Sequence, residues 1–228
     1  MQRTIKAGIL LLVLVVPAFV FIFLKVFGEN HFTLKTYYPL TDSLTGQVRT
    51  ESRPAITGSG MVQDTVFYTV PSVKAVTEGN RPVNSAILND KISIVSFFED
   101  NCDSVCRQRA FQLSRLPDLF RDQKEVIILS FASRPQSFIH QLKTDNAIAP
   151  GRWETWLVKP DELSAIATNA YRLKDQQPGN SETFQFTDQL ILVDKAGHIR
   201  GYYGALDKKE MERLILEIRV LLDVYAKQ

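Results

Sequence analysis

This sequence has few of the residues that build most metal centres and disulfide frameworks, with only two cysteines and three histidines among 228 residues. Two cysteines cannot form the several cross-links that hold a disulfide-rich scaffold together. The chain also has no glycine-rich phosphate loop and no HExxH or GxSxG motif. Its 27 basic and 25 acidic residues are well mixed, so the net charge of +2 does not indicate a nucleic-acid partner. The candidate chemistry is therefore concentrated in the two cysteines.

The chain is predicted to cross a membrane once, near its N-terminus. Ala7–Leu24 is an unbroken apolar run of about the 18–20 residues that a helix needs to cross hydrocarbon. Arg3 and Lys6 precede this run, Lys25 follows it, and no small-x-small cleavage site comes after it. We interpret residues 1–28 as an uncleaved signal-anchor of the cytoplasmic (inner) membrane, with the N-terminus inside. The rest of the chain then faces the periplasm, where a disulfide can persist.

Two further segments follow this transmembrane helix. Residues 29–64 are rich in Thr, Ser, Gly and Pro without sustained periodicity, and we interpret them as a stalk or linker with at most a short strand. Residues 65–228 have the periodicity of a folded α/β domain. Within it, Val66–Val70 and Val73–Val76 lie near turn residues 78–82, which predicts an N-terminal β-hairpin extension.

The order of the remaining elements predicts a thioredoxin-like fold. Ile92–Phe98 and Val126–Phe131 are short apolar runs of the kind found in buried parallel strands, and helical spacing follows each of them. A hairpin around residues 194–197 and a last helix from Asp207 complete the pattern. Strand, helix, strand, helix, hairpin and helix in that order imply a parallel core with its chemistry at the C-terminal ends of the strands.

Cys102 and Cys106 lie at such an end, just after Ile92–Phe98. If the next helix begins near Ser104, Cys102 is in the preceding loop and Cys106 in the first turn. A pair that straddles a helix start can close or open with little backbone movement, and the helix N-terminus stabilises a thiolate. This placement favours redox or copper(I) chemistry. The alternative is a static cross-link, which would contribute only about 2 kcal/mol because its loop is so short.

Several stretches together carry a resemblance to a known family. They are the strand with Cys102-x-x-x-Cys106, the segment Trp153–Val158, and Leu192–Tyr203 with its final helix. On these residues the chain resembles the Sco/SenC proteins from about residue 65 to 226, and its N-terminal region is similar to Bacteroidetes-type members. The resemblance implies a membrane-anchored thioredoxin-like domain linked to copper delivery for cytochrome c oxidase and to thiol–disulfide exchange. It also implies the partners, an oxidase subunit or another thiol–disulfide protein.

The sequence departs from the family pattern at the copper site. The family uses both cysteines and a histidine shortly before the Leu-Val-Asp hairpin, but that position is Phe186 here, and no histidine lies between His140 and His198. The family prolines near the cysteines are replaced by Asp103 and Arg107. Two thiolates alone can hold soft copper(I), whereas copper(II) prefers additional nitrogen ligands.

Three interpretations follow, and we favour a Sco-like assembly factor in which thiol redox chemistry comes before copper storage. In a thiol–disulfide oxidoreductase, Cys102 would form the mixed disulfide and Cys106 would resolve it. In a metallochaperone, both thiolates would bind copper(I) and pass it to an oxidase subunit. In a diverged non-catalytic interaction domain, the pair would form a structural disulfide. Glu99, Asp100 and Asp103 would raise the thiol pKa values and Arg107 would lower them, and the sequence does not determine which effect dominates.

Overall fold

The computed structural model describes residues 12–13, 15–23, 34–54, 60–173 and 188–227. The chain divides into two compact units, Met1–Thr33 and Leu34–Gln228. In the first unit, residues 12–13 and 15–23 are helical with exposed side chains. They are the described part of the predicted transmembrane run. Among the described residues, no helix is both long and apolar enough to cross a membrane.

The second unit is built on a mixed sheet. The described strands are β1 (Thr50–Pro54), β2 (Met61–Thr65), β3 (Lys74–Thr77), β4 (Pro82–Asn84), β5 (Ile92–Phe98), β6 (Val126–Ala132), β7 (Trp153–Leu157), β8 (Gln189–Val193) and β9 (Ile199–Gly204). The sheet has the order β4-β3-β7-β6-β5-β8-β9. β5 pairs in parallel with β6, and β6 in parallel with β7, whereas β8 runs antiparallel to β5.

Helices cover both faces of this sheet. They are α1 (Ser104–Ser114), α2 (Leu116–Leu119), α3 (Ser137–Asp145), α4 (Pro160–Ala165), which continues as a π-helix (Ile166–Ala170), and α5 (Lys208–Ala226), and a 3₁₀ turn spans Ser85–Leu88. Every residue of β5 and β6 is buried, as two covered faces require. The thioredoxin-like α/β fold predicted from the sequence is therefore confirmed.

Two hydrophobic cores lie on opposite faces of the sheet. Side chains alternate along β5, so Ile94 and Phe98 join one core while Val95 and Phe97 join the other. The first core is completed by α1, α3 and α5 and contains Cys106. The second is aromatic, with Trp156 and Tyr171 packed between the sheet and the π-helix. The cysteine pair thus belongs to the face that α5 covers.

The N-terminal part of this unit differs from the prediction in its pairing. The hairpin is formed by β3 and β4 around residues 78–81, and Asn80 takes the left-handed conformation (φ +57°) that the tight turn needs. Val66–Val70, predicted as one strand of that hairpin, instead makes isolated bridges to Pro39 and His198. The position of the turn was therefore predicted correctly, but the partner strand was wrong, because β4 and not Val66–Val70 pairs with β3.

Two features were not predicted. Trp153–Leu157 forms β7 between β6 and β3, where the sequence indicated only a stretch before a helix. In addition, the described stalk residues contact the domain, since the Tyr37 amide donates to the Ile199 carbonyl over 3.0 Å. Most of the pairing between β1 and β2 lies within the stalk itself. The boundaries 1–28, 29–64 and 65–228 stay a prediction.

Candidate thiol–disulfide site

The two cysteines form a disulfide at the C-terminal end of β5. Cys102 lies in the loop after the strand, α1 begins at Ser104, and Cys106 is in its first turn. The two Cα atoms are 5.2 Å apart, within the range that a disulfide requires. The predicted placement of the pair across the helix start is the one observed. The end of β5 at Phe98 places Cys102 in the following loop, and Asp103 is the N-cap at which α1 begins.

The two sulfur-bearing residues differ in exposure. Cys102 is partly exposed, whereas Cys106 is 8 % exposed and packs in the core with Phe98 and Ala110. A thiolate from outside can therefore approach Cys102 more readily than Cys106. This asymmetry is the one that a thiol–disulfide exchange pair needs, with one sulfur for the partner and a second for resolution.

Asp103 caps the helix that carries Cys106. Its Oδ1 accepts a hydrogen bond from the Cys106 amide over 2.9 Å, and its backbone is extended, as an N-cap requires. The sequence analysis considered Asp103 only as a negative charge near the thiols. In the structure its carboxylate also fixes the backbone of the buried cysteine.

The acidic residues after β5 are held by groups that follow β6. Arg134 Nε lies 3.3 Å from an Asp100 carboxylate oxygen, and the Ser133 hydroxyl donates to the same carboxylate. Gln136 donates to the Glu99 carbonyl over 3.2 Å. The Asp100 charge is thus balanced by a neighbouring cation, and these contacts tie the cysteine loop to the next strand.

A buried arginine in this region was missed by the sequence analysis. Arg109 is 3 % exposed on α1, three residues after Cys106, and donates from Nη2 to the Phe97 carbonyl over 2.6 Å. Burial lowers the pKa of its guanidinium to about 10, although nearby Glu99, Asp188 and Asp103 favour its charged form. The signal was available, because Arg109 falls among Cys106, Ala110 and Leu113 on the apolar face of the helix. Arg107, the cation that was considered, instead lies over the Phe138 ring at 5.9 Å.

The two described histidines, His140 and His198, do not extend the cysteine site. His140 is exposed on α3, and His198 lies 3.7 Å from Asp194 beside the β8–β9 turn. Val193 at the end of β8 pairs with Ser93 near the start of β5. The β8–β9 turn therefore lies at the N-terminal end of β5, and Cys102 lies at the other end of that strand. His31 and Phe186 lie outside the described residues.

Among the residues that the structure describes, the donor set at the pair consists of the two cysteine sulfur atoms. Within the described ranges, no group of three or more His, Cys, Asp or Glu side chains could hold a metal ion. When reduced, Cys102 and Cys106 together suit copper(I), since thiolates are its preferred ligands. They do not provide the nitrogen ligands that copper(II) prefers.

Comparison with known proteins places this geometry in a structural class. No family model matches the chain, and no curated protein matches its sequence. Among solved structures, the chain is similar to a SCO1/SenC family lipoprotein from Bacillus anthracis, with a TM-score of 0.56 and 16 % identity over 68 % of this chain and 95 % of that one. The class is therefore that of thioredoxin-like domains.

Two further solved structures that are similar to this chain are Sco proteins. BsSco, a member of the Sco family of cytochrome c oxidase assembly proteins in which a disulfide switch was identified, has a TM-score of 0.53 and 16 % identity over 68 % of this chain and 93 % of its own. Bradyrhizobium japonicum ScoI with copper bound has a TM-score of 0.50 and 15 % identity over 68 % and 99 %. The chain thus has the Sco-like form of the thioredoxin fold.

Proposed function

We propose that this protein is a membrane-anchored, periplasm-facing thiol–disulfide protein that assists assembly of the copper site of a respiratory oxidase through Cys102 and Cys106. The observation that carries the proposal is the disulfide at a helix start, with Cys102 partly exposed and Cys106 buried. The Sco-like fold supports the proposed role in oxidase assembly, because the structurally similar BsSco belongs to a family of cytochrome c oxidase assembly proteins and has a disulfide switch.

The exchange step follows from the unequal exposure. In the reduced protein the Cys102 thiolate attacks a partner disulfide, forms a mixed disulfide and displaces one partner sulfur as a thiolate. The Cys106 thiolate then attacks the Cys102 sulfur, which closes the intramolecular disulfide and releases the partner as a dithiol. Two electrons pass from the pair to the partner, and the reverse sequence oxidises a partner dithiol. Asp103 keeps Cys106 in the first helical turn throughout.

A second function, copper(I) carriage, is favoured by one observation. The cysteine Cα atoms are 5.2 Å apart, so two thiolates can converge on one soft ion without a third protein ligand. Copper would then be the cargo. A copper(I) titration of the reduced chain against a competing chelator tests this function, with Cys102→Ser/Cys106→Ser as the control that should retain no copper.

Trapping of mixed disulfides tests the exchange function. In Cys106→Ser, Cys102 can form a mixed disulfide but nothing resolves it, so adducts that a reductant releases should accumulate on non-reducing gels. Cys102→Ser is the matched control and should form few, because Cys106 is buried. Equal trapping by both variants, or by neither, would contradict the proposed roles.

The membrane anchor rests on the apolar run Ala7–Leu24. The full chain should pellet with membranes and resist alkaline extraction, and protease added to spheroplasts should digest the domain from outside. A chain with Leu10, Leu12 and Leu14 replaced by Asp is the control and should be lost from the membrane fraction, because charges in an apolar span are costly. Recovery of the unchanged full chain in the soluble fraction would contradict the anchor.

A further inference from the structure

Arg109 is the one buried cation among the residues that the structure describes. It lies on α1 three residues after Cys106, and both side chains face the core, as i and i+3 positions of one helix do. Burial of an ionised group costs free energy unless the group is hydrogen-bonded and paired with opposite charge. Arg109 therefore needs such partners next to the helix that carries Cys106.

The guanidinium is held in a defined position at the C-terminal end of β5. Nη2 donates to the Phe97 carbonyl over 2.6 Å, and Cζ lies 4.8 Å from the centre of the Phe98 ring. Phe98 and Cys106 belong to the same core cluster, against which Cys102 packs. The positive charge and the Cys106 side chain are thus parts of one buried neighbourhood, and the partly exposed Cys102 packs at its margin.

Three carboxylates from three parts of the chain act on this charge. Glu99 follows β5, Asp103 caps α1 and Asp188 precedes β8, and each favours the charged form of Arg109. Asp103 also accepts the hydrogen bond from the Cys106 amide. The cysteine helix therefore begins among negative charges that Arg109 offsets.

Reduction of the disulfide changes the charge of this neighbourhood. A dithiol reductant supplies two electrons, the S–S bond breaks, and above its pKa a cysteine sulfur carries a full negative charge. Cys106 would bear this charge in a buried position near Asp103. Without a cation, both desolvation and repulsion by the carboxylates would disfavour the thiolate.

We propose that Arg109 is a positioning residue that sets the redox equilibrium of the Cys102–Cys106 pair by stabilising the Cys106 thiolate of the reduced protein. This inference rests on the proposed exchange function, because it concerns the same pair. It predicts that Arg109 favours the reduced form, and that its effect requires an ionised cysteine.

The test measures the equilibrium of the full chain, in detergent, with reduced and oxidised glutathione. At about pH 8.5, near the ordinary cysteine pKa, Arg109→Met should lower the equilibrium constant for reduction about tenfold. At about pH 5, where both thiols are protonated, the variant and the unchanged chain should agree. Arg109→Lys keeps the charge but not the fork of donors, and it should stay within about threefold of the unchanged chain.

Arg107→Met is the matched control. Arg107 is on the same helix one residue from Cys106, but it is exposed and lies over Phe138, so solvent and salt screen its charge. Its removal should change the equilibrium constant less than about twofold. An equal effect of Arg107→Met and Arg109→Met would overturn the proposal, because burial would then not matter.

A purely structural role for Arg109 gives a different result. Arg109→Met would then lower the stability of the oxidised and reduced forms equally and leave the equilibrium constant unchanged, which overturns the proposal. If Arg109→Met does not fold, Asp188→Asn removes one carboxylate facing Arg109 and should shift the equilibrium towards the reduced form. No shift with Asp188→Asn also overturns it. A pair that never equilibrates with glutathione would instead contradict the exchange function itself.

Discussion

Among the described residues, each end of the central sheet buries one charged side chain, and the two side chains have different roles. At the β8–β9 turn, Asp194 is 2 % exposed and accepts hydrogen bonds from the amides of Ala196 and His198 over 3.0 and 2.9 Å. Arg200 donates to its other oxygen over 3.2 Å and also to Thr36 and the Leu34 carbonyl. At the cysteine end, Arg109 instead lies among three carboxylates beside a bond that can break.

The difference separates stability from chemistry. Asp194 is satisfied by groups that do not change during exchange, so its charge holds the turn and the Arg200 guanidinium, which in turn attaches residues 34–36 to β9. Arg109 faces a neighbourhood whose charge changes with the oxidation state of Cys106. We therefore expect substitutions at the Asp194 end to alter the free energy of unfolding and those at the cysteine end to alter the redox equilibrium.

Removal of the Asp194 carboxylate should give the largest loss of stability. Asp194→Ala leaves the partly buried guanidinium of Arg200 without its ionic partner and the two turn amides without an acceptor. Breaking one side of a buried ion pair costs about 3–5 kcal/mol. Urea unfolding of the full chain in detergent measures the loss.

Asp194→Asn is the matched control, because it keeps an acceptor for the amides but removes the charge. It should lose less stability than Asp194→Ala. Both variants should keep the glutathione equilibrium constant of the unchanged chain. A large change in that constant would show that the two ends of the sheet are coupled and would break the comparison.

The Asp194 charge should also make stability depend on pH. Burial acts to raise the pKa of Asp194, but hydrogen bonds from His198 and the charges of His198 and Arg200 outweigh it and leave the pKa below its usual 3.8. A lowered pKa in the folded state stabilises the protein above the unfolded-state pKa, and this contribution is lost as pH falls through the folded-state pKa.

The measurement is the difference in unfolding free energy between the unchanged chain and Asp194→Asn. It should shrink as the pH falls below about 4, where Asp194 becomes protonated in the unfolded chain and then in the folded one. A difference that grows within this acidic range would contradict the lowered pKa. Because His198 lies 3.7 Å from the carboxylate and also acts on it, the comparison is confined to this range.

Features that depend on neighbours in sequence could be predicted, whereas features that depend on distant contacts could not. Ile92–Phe98, the helix start near Ser104 and the cysteine placement depend on neighbours in sequence, and the structure confirms them. β7 could not be recognised because buried Thr155 interrupts its apolar pattern, and that side chain is satisfied by Lys143 from α3 over 2.8 Å.

The buried arginine shows the limit most clearly. A charged residue is assumed to be exposed, and the carboxylates that favour its charge come from Glu99, Asp103 and Asp188, up to 79 residues away in the chain. Only the fold brings them together. The Phe186 prediction, that an aromatic ring faces the cysteines, concerns a residue outside the described ranges and stays a prediction.

The smallest change in stability is expected at Asp103, and it sharpens the comparison most. Asp103→Ala removes the N-cap acceptor of α1 and should lower the free energy of unfolding by about 0.5–2 kcal/mol. Asp103→Asn keeps an acceptor, and because Asn and Asp are similarly good N-caps it should lower that free energy by only about a few tenths of a kcal/mol. Both variants remove one negative charge beside the buried cysteine. Both should therefore shift the glutathione equilibrium towards the reduced form, even though their unfolding free energies differ. If the equilibrium instead follows the loss of the cap, with Asp103→Asn unchanged, the helix start and not charge controls the pair.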